Sequence, residues 1–413
     1  MARKMKDSGI EWIGEIPEDW KILRLKHLSE AASSGLSTDM LFDDEGHYEV
    51  YDANNLVGYI YEHPIKQEYI SIIKDGAGVG RTRLMPKNTN IIGTMNYITA
   101  KNVDLDFLYY LFKIFDFNQY STGSTIPHIY FKDYGNAFVA IPNNISQEKI
   151  SNLLNNEMIK IRNIYEIIKQ QIQTLEDYKK SVITEAVTKG LDKNVEMKDS
   201  GIEWIGEIPK HWKADRLKNI VNYNKYTLKE TTNKSYRFKY VDIGSVEYGK
   251  GVLPLEVMNF EKAPSRARRI VKEGDIIIST VRTYLKAIAV IPKSDMPIIA
   301  STGFMTLRTK EIVDQEYLKY VVQSETFISE ISSKSFGVNY PAINTTELIN
   351  IKIVIPPKEE RLKIISYLDK NTKLINKAIE SKQKQLEILE EYKKSLIYEY
   401  VTGKKEVEDV GTI

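Results

Sequence analysis

The chain has 413 residues, 42% of them hydrophobic, with a formal net charge of +2 and no cysteine. That length exceeds one ordinary core and suits two domains with connecting structure, while the near-neutral balance excludes a polybasic-tail binder, so any nucleic-acid contact must come from local basic patches. The missing cysteines exclude disulfides, thiolate nucleophiles and Cys-based zinc sites, and fit a reducing cytoplasm.

The N-terminal segment has no apolar run of signal length, and the longest apolar stretches are strand-sized, as at Ile276–Ile278. No membrane partner is expected. Residues 5–17 read MKDSGIEWIGEIP, followed by Trp20 and by Arg24-Leu25-Lys26. Short apolar runs separated by Gly, Pro, Asn and Asp then predict strands and turns. A helix is predicted from Leu105 to Tyr120, and a long helix from about Gln147 to Thr188. The long helix places Leu154, Ile161, Ile168, Leu175 and Val182 at seven-residue spacing, contains no Pro, and meets a helix stop at Gly190.

At Met197 the opening returns letter for letter, through Pro209, with Trp212 and Arg216-Leu217-Lys218 following. A 13-residue identity of this kind is the mark of a duplication. The later matches are looser. Residues 72–86 parallel 277–292, IIGTMNYI (91–98) parallels IIASTGFM (298–305), GSTIPHI (123–129) parallels GVNYPAI (337–343), and EDYKKSVITEAVT (176–188) parallels EEYKKSLIYEYVT (390–402). The offset drifts from 192 to 214, as loop insertions produce. The second half repeats the order of elements, with a helix predicted from Gln315 to Ile331. A second long helix follows from about Glu359, striped by Ile365, Leu368, Thr372, Ile375, Ile379, Leu386, Leu389 and Leu396 and stopped at Gly403. Each long helix spans about 60 Å at 1.5 Å per residue, and each stripe is the obvious partner of the other.

The expected architecture is therefore α+β: two tandem α/β heads, 1–146 and 191–358, separated by a central helix (147–190) and a C-terminal helix (359–403). The two helices are expected to form an antiparallel coiled coil within a pseudo-two-fold repeat, and the polar tail 404–413 is expected to fray.

The Ile-Pro with Trp three residues on (Ile16-Pro17…Trp20 and Ile208-Pro209…Trp212), the Ile-Pro before each long helix, and the EYKKSLI-like helix end resemble the specificity subunit of type I restriction–modification systems, twice over the whole chain. The resemblance implies two target-recognition domains, each reading half of a split site on double-stranded DNA, and helices that act as spacer and docking surface. It further implies two methyltransferase subunits acting on adenine N6 and separate restriction subunits that cleave. S-adenosylmethionine, ATP and magnesium would then be bound by those partners and none by this chain.

The residues themselves show no catalytic centre. There is no [N/D]-P-P-[Y/F] methylation motif, Ile355-Pro356-Pro357-Lys358 being a superficial match, and no phosphate loop. Gly76-Ala77-Gly78-Val79-Gly80 lacks the following lysine and reads as a turn between strands. None of the five histidines pairs with another at metal-ligand spacing.

Candidate DNA contacts are Lys74, Arg81 and Arg83 around the glycine turn, with Arg282, Thr283, Tyr284 and Lys286 at its counterpart. The dense basic segment adds Lys262, Arg266, Arg268 and Arg269, and the paired loops add Ser124, Thr125, His128, Asn339 and Tyr340. Trp12, Trp204, Tyr178 and Tyr392 lie in the near-identical pieces and are candidates for partner contact. A coiled-coil scaffold that only joins proteins is the competing reading. It explains the helices but not two divergent heads with basic loops.

Overall fold

The computed structural model describes residues 3–43, 47–123 and 125–407. Two compact units form: residues up to 169 with those from 384 onward, and residues 170–383. The unit boundaries thus fall inside both long helices, not at 147, 190 and 359. Burial explains why. Ile150, Leu154 and Ile161 belong to the core of the first unit, whereas Val182, Ile183, Ala186 and Val187 belong to the core of the second.

Within the first unit an antiparallel sheet runs in the order Ser29–Ser33, Met95–Ala100, Tyr69–Ile73, Thr82–Met85. Tyr69–Ile73 is buried at every position, as a central strand covered on both faces must be. A smaller sheet holds Leu56–Ile60, Tyr48–Tyr51 and Asn90–Ile91, the last two parallel. The second unit repeats the first sheet with Val221–Tyr223, Phe304–Thr309, Ile276–Ser279 and Ile288–Val290. Its other sheet repeats the parallel pair as Arg237–Val241 with Ile298–Ser301, and adds Ala267–Val271 on the far side of Ile298–Ser301. The added strand lies between Val241 and Ile276, where the second half is longer than the first.

The predicted helix at 105–120 ends at Ile114 and continues as a 3₁₀ turn over Phe117–Tyr120, with the Asp116 side chain accepting from the Asn118 amide. The one predicted from Gln315 to Ile331 breaks into Ile312–Val321 and Glu325–Ser333, because the Ser324 hydroxyl caps a new start by accepting from the Phe327 amide.

The long helices run Asn144–Lys189 and Lys358–Val401. The first starts ahead of Gln147 because the Asn143 side chain accepts from the Ser146 amide. Gln147 is buried instead, donating to the Pro142 carbonyl and accepting from the Asp104 amide, which ties this helix to Leu105–Ile114. Within each unit the two helix segments are antiparallel. In the first unit Ile150 and Leu154 share a core with Leu396, Ile397 and Tyr400. In the second, Val182 and Val187 share one with Ile364 and Leu368, and the Lys179 ammonium donates to Asn376 at 2.8 Å.

Both openings form a hairpin, Met5–Asp7 with Glu15–Pro17 and Met197–Asp199 with Glu207–Pro209, laid against the end of a long helix. In the first unit that end belongs to the second helix: the Tyr398 hydroxyl donates to the Trp12 carbonyl, and Gly403 packs on Pro17 and Trp20. In the second unit Gly190 packs on Trp212 in the same way. The expected frayed tail is held at its start. Lys404 donates to the Glu15 carbonyl, the Lys405 amide to Glu399, and Val407 packs on the core; residues 408–413 lie outside the described residues.

Candidate nucleic-acid interface

The glycine turn of the first unit joins Tyr69–Ile73 to Thr82–Met85. Four of its amides are used within the protein: Gly76 donates to Pro127, Val79 to Gly76, Gly80 to Ile73 and Arg81 to Gly78. Gly76 and Gly80 take positive φ, +96° and +83°, and Gly80 is also needed for close approach. A Cβ on Gly78 would stand 2.6 Å from the Arg81 guanidinium, and one on Gly80 2.7 Å from Phe117.

The turn is zipped to the loop around Thr125. Gly76 donates to Pro127, Ile129 to Lys74, and His128 Nδ1 meets Asp75 Oδ1 at 2.7 Å. This sets His128 beside Lys74 and Asp75, with Arg81 at the end of the same turn and Arg83 on the strand that follows; Thr125 is exposed on the facing loop, and Ser124 lies outside the described residues. Lys74 donates to Ser33, and exposed Arg81 approaches the Asn54 side chain at 3.4 Å. Arg83 is exposed and lies 4.9 Å over the Tyr51 ring. The Tyr51 hydroxyl donates to Glu49, and that carboxylate, with burial, raises the phenol above its ordinary range. His128 is held by a carboxylate, so it meets a ligand only with Asp75 beside it.

The second unit builds the same joint from other residues. Thr283 donates to the Pro341 carbonyl, Ile343 to Thr280, and Val281 bridges to Ala342. Val281 and Ala342 stand where Asp75 and His128 stand in the first unit, an apolar pair in place of a charged one. Arg282 and Lys286 flank the turn, both at positive φ. Arg282 lies 5.1 Å over the ring of Tyr340, and Lys286 5.4 Å from that of Tyr248. Tyr284, Asn339 and Tyr340 are exposed. Thr283 is the exception: it is buried, donates to the Ser335 hydroxyl at 2.8 Å, and holds the joint together instead of facing a ligand.

The basic segment is also not the continuous loop expected. Lys262 ends a 3₁₀ turn, and the added strand begins at Ala267, so Arg268 and Arg269 are strand residues. Arg268 lies 5.0 Å over Phe260. Arg269 is half-buried, reaches only the Asn224 carbonyl at 3.5 Å, and its guanidinium is pushed down by desolvation. Lys262 and Arg266 remain exposed. Among the described residues, no group of three or more acidic or histidine side chains is placed to hold a metal ion.

Of the four aromatic partner candidates, Tyr178 and Tyr392 are exposed at equivalent places on the two long helices. Trp12 and Trp204 are half-buried on the cores of their own units, Trp12 edge-on to Phe115. Residue-by-residue reading missed Asn54, Tyr51 and Phe336. The first two reach the site across sheets, and Phe336 carried no polar signal.

A family model for the type I restriction modification DNA specificity domain matches residues 17–177 and again 209–389. The MjaVIII type I restriction enzyme specificity subunit of Methanocaldococcus jannaschii is 27% identical, over 96% of this chain and 95% of its own. The EcoDI specificity subunit of Escherichia coli is 22% identical, over 89% and 86%. A solved structure described as the basis of complex assembly and conformational transition of the type I R-M system superposes with a TM-score of 0.67 at 16% identity, covering 94% of this chain and 99% of that one. The fold is shared.

Proposed function

The chain belongs to the type I restriction–modification DNA specificity family, and we propose that each of its units reads one half of a split duplex target. It is the recognition subunit, directing methylation and cleavage that other subunits perform. The observation that carries the reading is the duplicated joint: two loops zipped together at the same place on matched sheets, lined by Lys74, Arg81 and Arg83 in one unit and Arg282, Lys286 and Tyr340 in the other. A common frame with unlike side chains is what two readers of different sequences require.

The chain assembles in a type I complex, and we assign it two methyltransferase subunits and separate restriction subunits. The near-identical opening hairpins and helix ends support that number, since they offer a partner similar surfaces twice, with Tyr392 and Tyr178 exposed at each. S-adenosylmethionine, ATP and magnesium belong to those partners in this scheme.

Methylation mapping in cells carrying the complex tests the reading. The expected result is methylated adenine within a motif of two defined halves around a spacer of undefined sequence. Loss of the chain with no change in methylation, together with no shift of duplex DNA by the complex, would leave a protein-joining scaffold as the role.

A further inference from the structure

We propose that the loop from Phe336 to Ala342 is an apolar wedge that enters the base stack of the half-site read by the second unit, a device the first unit lacks. The proposal rests on the DNA-binding role given above. Val338 is 98% exposed, Tyr340 66% and Phe336 57%, so three large apolar side chains stand in water on five consecutive residues. Such a cluster marks an interaction surface.

The loop is braced for insertion. The Phe336 and Ala342 amides donate to one another's carbonyls at 2.9 Å, Gly337 takes a φ of +104°, and the half-buried Thr283–Ser335 hydrogen bond ties the base of the loop to the turn at 280–286. A tip held at both ends loses little freedom when it is buried.

Charge selects the occupant. Arg282 packs over Tyr340 and Lys286 lies on the same turn, and neither has a carboxylate partner among the described residues. An apolar tip flanked by free cations suits a stacked polyanion, in which the cations hold phosphates while the tip parts a base step.

A methyltransferase subunit is a poorer fit, because a shared partner would meet the parts of the repeat that are alike. This loop is not alike. In sequence the first unit has Thr122 for Phe336, Ser124 for Val338 and Ile126 for Tyr340. The wedge therefore makes the two half-sites mechanically different, with the second read partly through its deformability.

The test uses the full chain in its methylation complex, on the target found by mapping, with head exchange assigning the half-sites. Duplexes carry 2-aminopurine at each position of the second half-site except the methylated adenine. Binding should raise the fluorescence at one step. Val338→Ser and Phe336→Ser should each abolish that rise and weaken binding by about tenfold, the worth of one aliphatic side chain returned to water. Both should leave the salt dependence unchanged, and Ile126→Ser should change no signal in the first half-site. Fluorescence that stays quenched at every position while the complex still shifts the duplex overturns the wedge, as does loss of a methyltransferase subunit from the Val338→Ser complex. Failure of the unmodified complex to shift any duplex is a different result, which removes the DNA-binding role itself.

Discussion

Arg266 and Arg269 are three residues apart and in different surroundings. Arg266 is exposed ahead of the added strand, whereas Arg269 is half-buried within it against the Asn224 carbonyl. Arg266→Ala is therefore expected to reduce the slope of log affinity against log salt by about 0.9, one phosphate contact, with no change in melting temperature. An unchanged slope would show that Arg266 does not touch DNA.

Asp275 is buried, accepts from the Lys272 amide, and pairs with the Arg308 guanidinium at both oxygens. Asp275→Ala leaves that arginine without its partner and should cost roughly 3 kcal/mol in denaturant unfolding. A loss under about 1 kcal/mol would show the pair to be solvated.

Lys113 adds a pH effect. The residue is exposed in part, but its ammonium donates to the Thr82 carbonyl and sits 4.7 Å from the Tyr109 ring. Desolvation first, and then Lys393, lower it from 10.5 to about 8. Between those values the unfolded chain holds more protons than the folded one, so this group adds stability as pH rises from about 8. Lys113→Met should flatten the rise, read as the difference between unfolding curves of the two proteins at pH 7 and pH 10.

At the scale of elements, the helix stops carry more than their local role. Gly403 and Gly190 both take positive φ, +73° and +80°, as the residue after a helix end commonly does. They also sit under the Trp of an opening hairpin. A Cβ on Gly403 would lie 2.5 Å from Pro17 Cδ, while one on Gly190 would lie 3.0 Å from the Trp212 ring. Gly403→Ala should therefore destabilise by more than the ~1 kcal/mol of a left-handed alanine, and by more than Gly190→Ala. Thermal melts of the two variants check the order. The hairpins also differ in support: the Trp212 indole donates to Glu360, whereas Trp20 Nε1 has no hydrogen-bond partner among the described residues.

For the whole molecule, two exchanges separate readout from spacing. Replacing residues 28–140 with a foreign head should change one half of the methylated motif and leave the other intact. Removing one heptad from each long helix, Ile161–Ile167 with 385–391, keeps the apolar stripes in phase. The lost helix is about 10 Å, or about three base pairs at ~3.4 Å each. Selection from a library with randomised spacers should return the same two halves, closer together, with weaker binding because the second half has turned by about a third of a helical repeat. An unchanged spacer would mean that the heads alone set the distance.

The duplication, the two long helices with their glycine stops, the strand-rich heads and the equivalence of the GSTIPHI and GVNYPAI loops were all legible in the amino-acid order, whereas the pairing of each loop with the turn before it was not. Each legible feature is carried by local pattern or by repetition, and a repeat displays its own equivalences. Tertiary structure alone decided which of the marked side chains face outward. Thr283 turns inward because Ser335, fifty-two residues away, takes its hydroxyl. Arg268 and Arg269 become strand residues because Ile298–Ser301 offers them an edge. Lys404 is held because the Glu15 carbonyl, at the other end of the chain, meets it. Val338, an apolar residue, stands in water because nothing in its own unit covers it. Burial depends on partners far along the chain, and no local pattern encodes which of them will arrive.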